Sequence, residues 1–390
     1  MKNKIITFLI LILIFIFLPN KNIFATENNV ISESEIISSQ KESLEIPKFI
    51  NQAEKYTAQT FQDLDFNKLL NSAISGNIDN KEIGSSILKL LRKETLGSIR
   101  VIASIIVIIV IHSILKSISD GLENKGISQI TFYVQYILIV TLVMTNFAEV
   151  LDMVKDSINN LINFSNCLIP LLMTLILSTG SIASVNILQP ILLFIITFIG
   201  NFINAVIIPI TLVSTVLAII SKISDRIQLD KLSKFFKSSV VWILGVILTL
   251  FVGVISLEGS LSSSVDGIIA KTAKAAVSSF IPVVGKILGD AVDTVIGCTS
   301  ILKNAVGIVG VVVILGICIL PIIKLVLLMI TYYIGSAICQ PIADKKIIEL
   351  LSQIGDTFKI LLAILCSVSV MLIIGTTLVM KISNSGLMYR

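Results

Sequence analysis

Long apolar blocks separated by short polar stretches dominate the chain, and their lengths are the first clue to its fold. A helix climbs 1.5 Å per residue, so about 20 apolar residues cross a hydrocarbon core of about 30 Å. On that measure the expected spans are Ile99–Leu115, Ile130–Ala148, Val240–Leu257, Ala305–Ile334 and Phe358–Met380. Between the second and third lies Cys167–Ile220, nearly uncharged and punctuated by Gly180-Ser181, Gln189-Pro190, Gly200-Asn201 and Pro209. That block is long enough for two spans or three compact ones. Ala305–Ile334 reads either as one tilted helix or as two pieces broken at Pro321.

The N-terminal block is different in kind. Lys2 and Lys4 precede a short apolar run, Ile5–Leu18, which Pro19-Asn20 ends and Ile23-Phe24-Ala25 follows. This is the order of a secretory signal peptide cleaved after a small residue, so 1–25 is expected to be removed. Residues 26–98 then form the one long polar stretch, rich in Ser, Glu and Asn at first and helical in pattern beyond Pro47. They are expected to be a small extracytoplasmic helical segment.

Loop charges orient the rest. Lys222, Arg226, Lys231, Lys234 and Lys237 crowd one loop against Asp225 and Asp230, which marks it as cytoplasmic. With 26–98 outside, that side is reached by three crossings within Cys167–Ile220, and Glu149–Asn166 becomes an outside loop. The expected fold class is an all-α polytopic integral membrane protein with about seven transmembrane helices. Its parts are the signal peptide 1–25, the segment 26–98, a first membrane block 99–257, a hairpin 258–304 and a C-terminal membrane block 305–390.

Composition agrees. The chain is 55% hydrophobic and 14% charged, with mean hydropathy +0.97, too few charges to clothe a soluble protein of 390 residues. The net charge of +5 does not imply nucleic acid, because Lys and Arg are scattered without interleaved aromatic residues. Five cysteines sit singly, mostly in apolar runs, and read as small buried hydrophobes. The only histidine, His112, lies near the end of the first expected span, where an interfacial or interhelical hydrogen-bonding role is commoner than that of a ligand. No metalloprotease, serine-hydrolase or phosphate-loop motif occurs, so neither catalysis nor a cofactor is expected.

The unusual stretch is 258–304, too polar for an ordinary span and too apolar for a plain loop. It turns at Pro282, and Gly285, Gly289 and Gly297 then leave one helical face nearly bare, which permits close backbone approach. Asp290 and Asp293 share a neighbouring face, with Lys286 spaced to pair with Asp290. The stretch reads as a re-entrant hairpin lining a pathway or contacting a partner, or as an amphipathic helix pair on the outer leaflet. On the first reading, Leu at Gly285 or Gly289 disturbs assembly more than membrane insertion, which co-purification against membrane abundance tests. Lys324, inside an apolar run, needs a partner, a cavity or a headgroup to reach. Asn163, Asn166, Gln189, Asn201 and Asn204 are expected to make interhelical hydrogen bonds.

Leu257-Glu258-Gly259, Lys271-Thr272-Ala273-Lys274, Phe280-Ile281-Pro282-Val283-Val284-Gly285 and Gly289-Asp290-Ala291-Val292-Asp293-Thr294-Val295 stand in this order. Together with the succession of signal peptide, external segment and clustered spans, they resemble the stage III sporulation protein AE family of endospore-forming Firmicutes. The resemblance implies a non-enzymatic multispan subunit of the channel or secretion-like complex in the mother-cell membrane around the forespore. It also implies partners: the other stage III sporulation A-operon membrane and ring proteins, a cytoplasmic secretion-type ATPase, and stage II sporulation protein Q across the intermembrane space. The family carries no catalytic residues to transfer. The competing reading is a stand-alone secondary transporter, which predicts interrupted helices in two related halves.

Overall fold

The computed structural model describes residues 33–58, 60–61, 64–76, 125–223, 228–280 and 284–382, with isolated positions between 84 and 114. The expected signal peptide, His112, Pro282 and part of Ile99–Leu115 lie outside the described residues.

Every described element is helical. Three short helices come first: α1 (Glu33–Ser43), α2 (Ile46–Thr57) and α3 (Phe66–Ser75). Pro47 in the first turn of α2 presets the helical φ where no N–H partner is needed. Asp65 caps α3 by accepting from the backbone N–H groups of Asn67 (2.8 Å) and Lys68 (3.1 Å). Both helices are amphipathic, burying Ile46, Phe49, Ile50 and Ala53 from α2 and Phe66, Leu69 and Leu70 from α3.

The long helices follow: α4 (Lys125–Ser178), α5 (Ile182–Phe202), α6 (Ile208–Ile223), α7 (Asp230–Phe280), α8 (Val284–Cys339) and α9 (Lys345–Ile382). A π-helical turn, Ile203–Ile207, joins α5 to α6. Pro209 follows it, and the wider turn absorbs the missing N–H and the ring's clash with the preceding turn. Gly180, at φ +88°, reverses the chain between α4 and α5, a conformation that costs an L side chain.

Cross-contacts fix the topology. Tyr136 donates to the Ile219 carbonyl (2.6 Å) and Asn204 to Asn159 (2.8 Å), so α4 runs antiparallel to α5–α6. Tyr332 packs on Phe358 (5.4 Å) and Ser369 donates to the Cys318 sulfur (2.8 Å), so α8 runs antiparallel to α9. Phe147 packs on Phe358 (6.2 Å), bringing α4 into the same core. The Asn204 bond is the interhelical role expected for that residue. All five cysteines are unpaired, three buried and two half-buried.

Among the described residues, five stretches are long and apolar enough to cross a membrane: Phe132–Ser178, Ser184–Ile223, Asp230–Leu257, Asp293–Cys339 and Lys345–Lys381. Two differences from the sequence expectation stand out. Glu149–Asn166 is not a loop but the middle of the 54-residue α4. The stretch contains no Gly or Pro, and its buried Val150, Leu151, Val154, Ile158, Leu161 and Ile162 recur at helical spacing, with Glu149, Asp152 and Asp156 exposed between them. The apolar runs on either side are therefore collinear and cannot cross in opposite directions. Likewise, Ser184–Ile223 is one descending rod with a π turn, not two separate crossings.

The helices also run through positions that suggested breaks. Pro170, Pro190 and Pro321 sit inside α4, α5 and α8, and Pro321 does not divide Ala305–Ile334. The 257/258 and 304/305 boundaries drawn for the hairpin fall within α7 and α8.

Candidate functional site

One end of the bundle is tied by charge. Lys222, at the end of α6, is buried; its ammonium donates to Asp230 (2.8 Å) at the start of α7 and to Glu349 (2.6 Å) in the first turns of α9. Asp230 also accepts from the Gln353 amide (3.2 Å), and Lys237 donates to the Gln353 carbonyl (2.9 Å). Just inside, Ser214 bonds Ser233 and Thr215 donates to Thr357 (3.2 Å). At this end three helices are thus fixed to one another by directed bonds as well as by apolar packing.

A second buried cation marks the opposite end. Lys303, on α8, is fully buried, and its ammonium donates to the Met380 carbonyl (2.7 Å) in the last turn of α9. Positive charge is favourable there, because the last turn of a helix presents unsatisfied carbonyls and the negative end of its dipole. Lys303→Met should therefore be close to neutral for thermal stability in detergent, since a buried cation can be replaced by an apolar side chain of similar length. Lys303→Glu, which sets a carboxylate against that carbonyl, should lower the melting temperature clearly.

The N-terminal helices dock near this second end. Gln40 on α1 donates to Thr299 (2.8 Å), and Phe49 and Tyr56 on α2 pack on Phe164 of α4 (5.8 and 6.0 Å). The deepest contact is at Gly316. A Cβ there would stand 2.6 Å from the Phe61 ring and 2.8 Å from the Thr57 methyl. Gly200 meets Ile162, Gly307 meets Met380 and Gly310 meets Leu168 with comparable intimacy.

The residues singled out in the sequence fare differently. Gly285, Gly289 and Asp290 lie in the first two turns of α8. Gly297 is also on α8, and among the described residues a Cβ there would meet nothing within 4 Å. Asp293 and Lys324 are half-buried on the same helix. Close glycine contacts lie about three to five turns beyond Gly297, at Gly307, Gly310 and Gly316. Their spacing was visible in the sequence, but it sat in an apolar run where no polar neighbour drew notice. The Lys222–Asp230–Glu349 cluster was missed because two of its members were read only as loop charges. Among the described residues, no group of His, Cys, Asp and Glu is arranged to hold a metal ion.

The family model described as stage III sporulation protein AE matches residues 64–383. The chain belongs to the stage III sporulation protein AE family. The match takes in α3 and every described long helix, and so contains Lys222, Asp230, Glu349 and Lys303. A curated relative, stage III sporulation protein AE of Bacillus subtilis (strain 168), is 29% identical over 297 residues, covering 76% of this chain and 74% of that protein. No solved structure matches. Family membership and five membrane-capable helices make this a sporulation protein of the membrane.

Proposed function

We propose that the protein is a non-enzymatic, multispan membrane subunit of the channel or secretion-like complex that joins mother cell to forespore. The observation that carries this reading is the separation of its two polar regions. The basic loop beginning at Lys222 lies at one end of the bundle, and α1 bonds Thr299 towards the other. With that loop cytoplasmic by its charge, the N-terminal helices face the intermembrane space.

The path of the chain then closes without a parity problem. The sequence-predicted span Ile99–Leu115 enters the cytoplasm, α4 leaves it, and α5–α6 return to the basic loop. After that α7 leaves, α8 returns and α9 leaves again. One predicted span plus the five in the structure gives six, in place of the seven expected. The transporter reading predicts interrupted helices, yet among the described long helices prolines are carried without a break.

On this reading the exposed face of α2, with Lys48, Glu54 and Lys55, is a docking surface for the ring-forming partners and, through them, stage II sporulation protein Q. The secretion-type ATPase would meet the opposite, cytoplasmic end. A photo-crosslinking amino acid placed at Lys48 or Lys55 in sporulating cells tests the assignment. Adducts with ring proteins are expected at those sites and none at Lys231, in the first turn of α7 at the cytoplasmic end. The reverse distribution would overturn both the orientation and the partner assignment.

A further inference from the structure

The face formed by α5 and α7 carries a second kind of surface, unrelated to the charged ends. Phe194, Phe198 and Phe202 recur every four residues along α5, and their rings stack at 5.8 and 6.3 Å. Phe198 and Phe202 wall one side of an open groove of about 150 Å³, and Trp242, Ile243 and Val246 of α7 wall the other. Its lining is wholly apolar. Trp242 is 71% exposed and Phe198 58%. A shallow, wholly apolar groove of this volume suits a length of alkyl chain.

Charge lies in register with it. Lys231 precedes Trp242 by eleven residues, about three turns and 16 Å along α7, and so lies on nearly the same face. Lys234 stands one turn further along, and both lysines are exposed. No charged residue occurs on α7 from Ser238 to Leu257, and its exposed positions there include Val241, Leu250, Val254 and Leu257. When Trp242 sits among acyl chains, this spacing brings Lys231 and Lys234 to the headgroup layer, where cations attract anionic lipid.

We propose that the α5–α7 groove is a binding site for an anionic phospholipid, with an acyl chain between Phe198 and Trp242 and the phosphate against Lys231 and Lys234. The inference rests on the membrane placement of α5 and α7 and not on the role in the sporulation complex, so it stands or falls separately from it.

Trp242 is the only tryptophan in the chain, which makes the site its own reporter. The full-length protein is reconstituted in vesicles containing brominated phosphatidylglycerol or brominated phosphatidylcholine, and quenching of its fluorescence is followed against mole fraction. Quenching is expected with both, half-complete at roughly fivefold lower mole fraction for phosphatidylglycerol. The Lys231→Gln, Lys234→Gln double variant should lose that preference while keeping its quenching by phosphatidylcholine and its helical circular dichroism. Absence of quenching by either lipid would mean that protein, such as a second copy, covers the groove, and would overturn the site. Equal quenching by the two lipids in the unaltered protein would reduce it to non-selective boundary lipid and would overturn it too.

Discussion

Gly316→Leu should release the N-terminal helices from the bundle while leaving the long helices assembled. At Gly316 the backbone of α8 lies against the Phe61 ring and the Thr57 methyl, and both residues are buried. Thr57 has little room to retreat, because its hydroxyl donates to the Ala53 carbonyl (2.6 Å) within α2. A leucine adds a branched side chain where even one carbon is too close. Overpacking of this kind costs about 1–3 kcal/mol, which raises the undocked fraction roughly 5- to 150-fold. Limited proteolysis between residues 44 and 76 reads that fraction directly. Gly297→Leu is the matched control: it is the same change on the same helix, in open space among the described residues, and cleavage should be unaltered. Equal cleavage of the two variants would show that bulk on α8, not the Gly316 contact, governs docking. If the N-terminal helices present the docking face for ring proteins, Gly316→Leu also weakens co-purification of those partners at normal membrane abundance.

The second large effect is expected at Lys222. Lys222→Met removes the cation that two carboxylates share and leaves Asp230 and Glu349 facing each other across the vacated site. Losing one partner of a fully buried pair costs about 3–5 kcal/mol, whereas exposed pairs contribute about 0–1 kcal/mol. The Lys222 side chain is 11% exposed, but Asp230 and Glu349 are 37% and 40% exposed, so water reaches the carboxylates and softens the loss. The expected destabilisation lies between those bounds, at about 2 kcal/mol, read as a lowered melting temperature in detergent. Adding Asp230→Asn and Glu349→Gln to Lys222→Met should recover much of it, because the repulsion goes with the charges. Failure to recover would mean that the lysine acts through its buried methylenes and not through its charge.

The two variants also separate the ends of the molecule. Gly316→Leu acts where α2 and the Thr57–Phe61 turn cross α8, and Lys222→Met acts where α6, α7 and α9 converge. Their contacts share no side chain, so the effects should add in the double variant.

The chain itself declares the all-helical membrane class, the helical pattern beyond Pro47 and the positive charge of the Lys222–Lys237 stretch. Each of these depends on which residue types occur within a few turns, and solvation acts on them locally: apolar runs seek hydrocarbon, and lysines stay at its border. Individual features became legible in the same way, as at Asn204, where an amide in an apolar block finds an interhelical partner in Asn159.

What the chain did not declare is where helices end and which glycines touch. Charge at Glu149, Asp152 and Asp156 looked like a loop, yet a helix persists through exposed charge when its other face is packed and no breaker intervenes. The glycines at 285, 289 and 297 advertised a bare face by their spacing. Whether a bare face is used depends on what lies across from it, and only the fold placed Phe61, Leu168 and Met380 against Gly316, Gly310 and Gly307. The Lys222–Asp230–Glu349 cluster is of the same kind, since Glu349 is 127 residues from Lys222 in sequence and 2.6 Å from it in space. Local chemistry therefore settled the class and membrane character of this protein, whereas the joints that hold its helices in one arrangement came from the tertiary structure, because those joints are relations between distant residues.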